Sequence, residues 1–127
     1  MKKQKTIVIV DDEVELSEFA RMVLAEKGGY EVGICNQSER AIGMIREWKP
    51  DLVLLDIMMP NVDGTEIAAR LREDPELCAI PVIFLTSLMT AQEAATHPVI
   101  GKNRFLPKPI NGEELLKRIR EFFELEV

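Results

Sequence analysis

The stretch Thr6-Ile7-Val8-Ile9-Val10-Asp11-Asp12 decides how this chain is read, because an apolar run ends there in two adjacent carboxylates. Uniformly apolar runs of this length, without polar alternation, fit strands covered on both faces in the middle of a sheet. A second run, Leu52-Val53-Leu54-Leu55, ends in Asp56. If the two are neighbouring parallel strands, all three carboxylates gather at one edge of the sheet, where open α/β folds place their ligand sites. Three anions packed together repel one another and call for a hard cation held by oxygens, of which Mg²⁺ fits best.

Working outward, five β-like runs alternate with helix-like stretches: Thr6 to Val10, Glu31 to Cys35, Leu52 to Leu55, Val82 to Thr86, and Arg104 to Leu106. That alternation predicts a parallel sheet with helices on both faces. The run broken by Gly33 suits an edge. Leu16, Phe19, Ala20, Val23 and Leu24 recur at helical spacing, and Gly28-Gly29 stops that helix. Ala41, Met44, Ile45 and Trp48 form the stripe of a second helix, with Ser38 as its expected N-cap and Pro50 ending it. A third helix begins beyond Asp63-Gly64, buries Ile67, Ala68 and Leu71, and stops before Pro75. In that turn the glycine is expected to supply a positive φ. The fourth, over Met89 to Thr96, is short and followed by Pro98. The fifth opens at Asn111 and carries the core stripe Leu115, Ile119, Phe122, with Leu116 and Phe123 widening its apolar girth toward a partner or dimer face.

The length of 127 residues predicts one domain over residues 1–127. A formal net charge of -6 argues against a sequence-independent grip on nucleic acid or an anionic membrane. The basic start Met1 to Lys5 is followed by only a short strand-like apolar run, and no run approaches the roughly 18 residues of a membrane span. The expected location is therefore the cytoplasm. Cys35 and Cys78 lack metal-ligand spacing and read as reduced thiols.

Each end of the remaining central strands adds a polar group. The fourth run ends in Thr86-Ser87 and the fifth in Lys108-Pro109. In a parallel sheet both point toward the cleft that holds the aspartates. An ammonium there neutralises part of the carboxylate charge, and a hydroxyl with a backbone N–H binds an oxygen of an anion. Taken alone, an acidic pair after a strand is more often a helix N-cap with a solvated neighbour. The further residues Asp56 and Lys108 turn the balance toward a cation site with a carboxylate nucleophile.

With Asp11-Asp12, the stretch Asp56-Ile57-Met58-Met59-Pro60-Asn61-Val62-Asp63-Gly64, Thr86-Ser87 and Phe105-Leu106-Pro107-Lys108-Pro109 in this order and spacing, the chain resembles the receiver domain of two-component response regulators. The resemblance implies a flavodoxin-like, doubly wound five-stranded parallel sheet of order 2-1-3-4-5 with five helices. It implies that Asp56 takes a phosphoryl group from the phosphohistidine of a histidine kinase or phosphotransfer protein. Asp12, Asp56 and the backbone carbonyl of Met58 would hold Mg²⁺ directly, and Asp11 through a water. Lys108, Thr86 and the N–H of Ser87 would bind phosphoryl oxygens. Thr86 and the aromatic ring of Phe105 would form the switch, altering the face made by the fourth helix, fifth strand and fifth helix. That face would engage a downstream protein target or a second copy. The Lys108-Pro109 bond is often cis in this family.

Met58 and Leu88 stand where fast-dephosphorylating members carry polar side chains, which predicts slow loss of the phosphoryl group. Phe105 lacks the hydroxyl of the commoner tyrosine. His97 reads as a surface loop residue outside the motif set. Two other functions compete with a switch. A Mg²⁺-dependent phosphohydrolase would need a second acid where Met58 stands and a capping domain. A degenerate receiver would lack site residues that are all present here.

Overall fold

Thr6–Val10 (β1), Glu31–Cys35 (β2), Leu52–Asp56 (β3), Val82–Thr86 (β4), Val99–Ile100 (β5) and Asn103–Pro107 (β6) are the strands of the computed structural model, which describes residues 4–87, 99–100 and 103–125. The helices are Val14–Met22 (α1), Ala41–Trp48 (α2), Gly64–Glu73 (α3) and Gly112–Leu125 (α4). The sheet runs β2-β1-β3-β4-β6-β5, so its parallel strands stand in the order the resemblance implies. One strand was not foreseen: β5 pairs antiparallel with β6 and extends that edge. The expected fourth helix, with His97 and Pro98, lies outside the described residues, so the expected fifth helix is α4.

Alternation along the buried strands divides the core between two faces. Ile7, Ile9, Leu52, Leu54, Ile83 and Leu85 pack against Ala20 and Leu24 of the first helical segment and Leu115, Ile119 and Phe122 of α4. Val8, Val10, Val53, Leu55 and Phe84 pack against Ala41 and Ile45 of α2 and Ile67, Ala68 and Leu71 of α3. Each large aliphatic side chain so covered contributes about 1.5–3 kcal/mol, enough to fix the strand register face by face. Because β2 and β3 flank β1 on opposite sides, the chain reverses its winding between β1 and β3. The crevice this opens lies beyond Val10 and Asp56.

Several local readings change. The stop at Gly28-Gly29 is real, with Gly29 at φ 74°, but the last turn before it, Val23–Lys27, is wound as a π-helix. Ser38 does not cap α2; it opens a 3₁₀ turn, and its buried hydroxyl donates to the Pro60 carbonyl at 2.7 Å and accepts from the Val62 N–H at 3.2 Å. Gly64 needs no positive φ, because the left-handed residue of that loop is Asn61 at φ 72°. Glycine is required instead by contact: a Cβ on Gly64 would lie 2.1 Å from the Asp56 carbonyl oxygen. Asp63 caps α3 by accepting from the Glu66 N–H at 3.0 Å, and Asn111 caps α4 by accepting from Glu114 at 3.1 Å. Phe123 turns inward upon the chain, its ring 5.4 Å from Tyr30 with the Lys5 ammonium 5.7 Å above it. Much of the apolar girth of α4 is therefore used within the molecule.

Candidate functional site

Strand β1 hands its backbone directly to the site. The Asp11 N–H donates to the Cys35 carbonyl at 3.1 Å, and the Asp11 carbonyl accepts from the Asn36 side chain at 2.7 Å. Ser17 of α1 packs beside it, donating to the Glu13 carbonyl at 2.9 Å. These contacts fix Asp11 with no exposed surface at all. One carboxylate oxygen, Oδ1, accepts from the Glu13 N–H at 2.9 Å, which is the turn-forming role an acid at a strand end ordinarily fills. The other, Oδ2, is buried and its partner among the described residues is the Lys108 ammonium 3.0 Å away. A buried anionic oxygen is costly without a charged partner.

Asp56 reaches the same place from β3, where its register partner on β4 is Leu85, the neighbour of Thr86. Ligand oxygens of Asp11, Asp12 and Asp56 all lie within 4.8 Å of one another. Asp56 is buried and Asp12 exposed, so the cluster opens to solvent on one side. Burial and the neighbouring Asp11 carboxylate push the Asp56 acid up to about 6, although Lys108 pulls the other way. Burial likewise raises Asp11, against the Glu13 N–H and Lys108. Three carboxylates converging in a cluster open to solvent fit a hard divalent cation.

The ammonium of Lys108 stands 3.0 Å from Asp11 Oδ2 and 3.4 Å from Asp56 Oδ2. Its backbone places it there: the Lys108 N–H donates to the Thr86 carbonyl at 2.8 Å, and the following bond to Pro109 is cis. Burial alone would depress this amine, but Glu13, Asp11 and Asp56 reverse that and hold its pKa above the ordinary lysine value. Thr86 is buried at the end of β4, opposite Pro107 of β6, and Ser87 is exposed just beyond it. Met58, two residues past Asp56, is exposed. The chain around it is tied down, with the Ile57 N–H donating to Leu85 at 3.1 Å and the Gly64 N–H to the Ile57 carbonyl at 2.7 Å. Phe105 is half-buried, its ring stacked 5.6 Å from that of Phe84, its register partner. Leu88 lies outside the described residues.

Of the residues predicted from sequence, Asp11, Asp12, Asp56 and Lys108 come together, with Thr86 joined to Lys108 through the backbone, and the structure adds others that the sequence reading missed. Glu13, Asn36 and Ser17 shape the site, while Ser38 secures the loop that carries Met58. Asn36, one residue past β2, had a usable signal in its place at the carboxyl end of a strand next to β1.

The described geometry accords with what the comparisons find. The family model for the response regulator receiver domain matches residues 7–120. The chain belongs to this family. Among curated relatives, this receiver is 36% identical over 116 residues to the phosphate regulon transcriptional regulatory protein PhoB of Pseudomonas aeruginosa, covering 91% of this chain and 50% of that one. It is 35% identical over 114 residues to the DNA-binding dual master transcriptional regulator RpaA of a Synechocystis strain, covering 90% of this chain and 47% of that protein. The chain spans about half the length of these relatives. Among solved structures, a response regulator from Desulfuromonas acetoxidans superposes with a TM-score of 0.79 at 26% identity, over 95% of this chain and 98% of that one. A response regulator described as putative, from Chloroflexus aurantiacus, gives 0.78 at 30% identity, over 94% and 97%.

Proposed function

We propose that this receiver is a phosphoryl-accepting switch of a two-component pathway, with Asp56 as the acceptor. The observation that carries the reading is the placement of the Lys108 ammonium against two buried carboxylates, 3.0 Å from Asp11 and 3.4 Å from Asp56. In the transfer, an Asp56 carboxylate oxygen forms a bond to the phosphorus of a phosphohistidine. The P–N bond breaks, its electron pair returns to the ring nitrogen, and the imidazole leaves neutral with a proton on its other nitrogen. Asp12, Asp56 and the Met58 carbonyl would hold Mg²⁺, with Asp11 acting through a water; the ion, when bound, supplies positive charge to the transferring oxygens. Lys108, the Thr86 hydroxyl and the Ser87 N–H would take the oxygens of the acyl phosphate.

The response is a population shift biased by one covalent anion. Thr86 drawn toward the phosphoryl group would vacate space into which Phe105, now stacked on Phe84, would turn further inward, changing the surface around β6 and α4 that a target protein or a second copy would bind. Apolar Met58 and Leu88 offer the attacking water no hydrogen bond, so self-dephosphorylation would be slow. The acidic charge favours protein partners over direct nucleic-acid contact by this domain. The switch would work in the cytoplasm; among the described residues no helix is long and apolar enough to cross a membrane.

Incubation with Mg²⁺ and acetyl phosphate, read by intact mass, tests the proposal. Expected is one added phosphoryl group, absent with a chelator and absent in Asp56→Asn. No gain from acetyl phosphate or from a phosphorylated histidine kinase would overturn it.

A further inference from the structure

An ammonium has three N–H donors, and three carboxylates surround that of Lys108. The shortest contact is neither Asp11 nor Asp56 but Glu13, whose Oε1 accepts from Nζ at 2.7 Å, 95 residues away in sequence. Stability alone would choose otherwise. The Glu13 side chain is 58% exposed and could be served by water, whereas Asp11 Oδ2 is fully buried and has this same ammonium, at the longer distance of 3.0 Å, as its partner. Glu13 occupies the N-cap position of α1, yet its side chain makes no capping bond, so its helical role does not explain where it points.

We propose that Glu13 is a stand-in for the incoming phosphoryl oxygens: it holds the Lys108 ammonium at the mouth of the site and yields it when the phosphoryl group arrives. The inference rests on the receiver reading above and concerns the regulation of that site. Before transfer the Lys108 ammonium lies 2.7 Å from Glu13, 3.0 Å from Asp11 and 3.4 Å from Asp56, so a phosphoryl oxygen competes with these carboxylates for its three donors. Asp11 is buried and Asp56 carries the phosphoryl group, which leaves Glu13 as the exchangeable partner because water can resolvate it. Glu13 is thus a positioning residue. It sets how readily Lys108 is released.

The test compares the wild type with Glu13→Gln in Mg²⁺ and acetyl phosphate. Here an Asp56 oxygen bonds to phosphorus, the bond to the acetate oxygen breaks, and acetate leaves with the electron pair. An exposed ion pair of ordinary strength predicts that Glu13→Gln accepts phosphoryl about two- to five-fold faster. Added salt should narrow that gap, since the competing charge is screened, and the gap should vanish in a Lys108→Ala background. Urea unfolding of Glu13→Gln at the wild-type midpoint separates these effects from a folding defect. Equal or slower acceptance, or a gap that survives salt or Lys108→Ala, would overturn the role of Glu13 and leave the receiver reading intact. Absence of phosphoryl uptake in every variant, from acetyl phosphate and from a phosphorylated histidine kinase alike, would overturn the receiver reading, and this inference with it.

Discussion

Two aspartates sit at opposite ends of the β1–β3 strand pair and are used in opposite ways. Asp51, just before β3, accepts from the Thr6 N–H at 2.8 Å and the Thr6 hydroxyl at 3.2 Å, on the surface. Asp11, just after β1, is buried, with one oxygen in a turn and the other against the Lys108 ammonium, which it shares with Asp56. The first carboxylate closes a sheet end. The second is crowded, at a cost, beside another buried carboxylate. The difference separates an acid that builds the fold from acids that, under the proposed function, serve a ligand.

The largest expected effect is on chemistry. Asp56→Asn should abolish phosphoryl uptake, whereas Asp51→Asn should leave its rate within about two-fold, both read by intact mass in Mg²⁺ and acetyl phosphate. Lys108→Ala should slow uptake by about 10- to 100-fold, since it removes the charge beside the transferring oxygens; stopped-time quenching measures it. Gly64→Ala must push the α3 start off the Asp56 carbonyl and should cost about 2 kcal/mol in urea unfolding while also slowing uptake.

A pH titration sharpens the contrast between the two ends. The Asp56 acid is raised from 3.8 to about 6 in the folded protein, so between those values the folded state binds more protons than the unfolded chain. Without Mg²⁺, this group makes stability fall as pH rises from about 4 to about 6, with no further loss above. Asp56→Asn should flatten that slope and stabilise the protein at pH 7 by about 1–3 kcal/mol, the same substitution that ends its activity. Wild-type stability that is unchanged across this window, by chemical denaturation in chelator, would contradict the burial assigned to the cluster. The smallest effect belongs to Asp51→Asn, about 0.5–1.5 kcal/mol from lost hydrogen bonds and little change of slope.

Much of this was legible because it is local. Apolar runs named the parallel strands, their terminal residues named Asp11, Asp56, Thr86 and Lys108, and spacing supplied the family. Other features depend on contacts across the chain. Glu13 reads as an ordinary acid at a helix start until β6 delivers Lys108 beside it. Ser38 reads as a cap until the loop after β3 arrives with Pro60 and Val62. Gly64 looks like a turn glycine, and only the path of the Asp56 backbone shows that the constraint is space. Two residues of β5 carry too little pattern to announce a strand, and a π-wound turn keeps the same apolar stripe as an α-helix.

The most direct test of the central claim is to locate the phosphoryl group. The protein is phosphorylated from a phosphohistidine donor, the acyl phosphate is reduced with borohydride, and the modified peptide is mapped by mass spectrometry. The account predicts modification at Asp56 alone. Modification at Asp11, Asp12 or any other residue, with Asp56 unchanged, would contradict it.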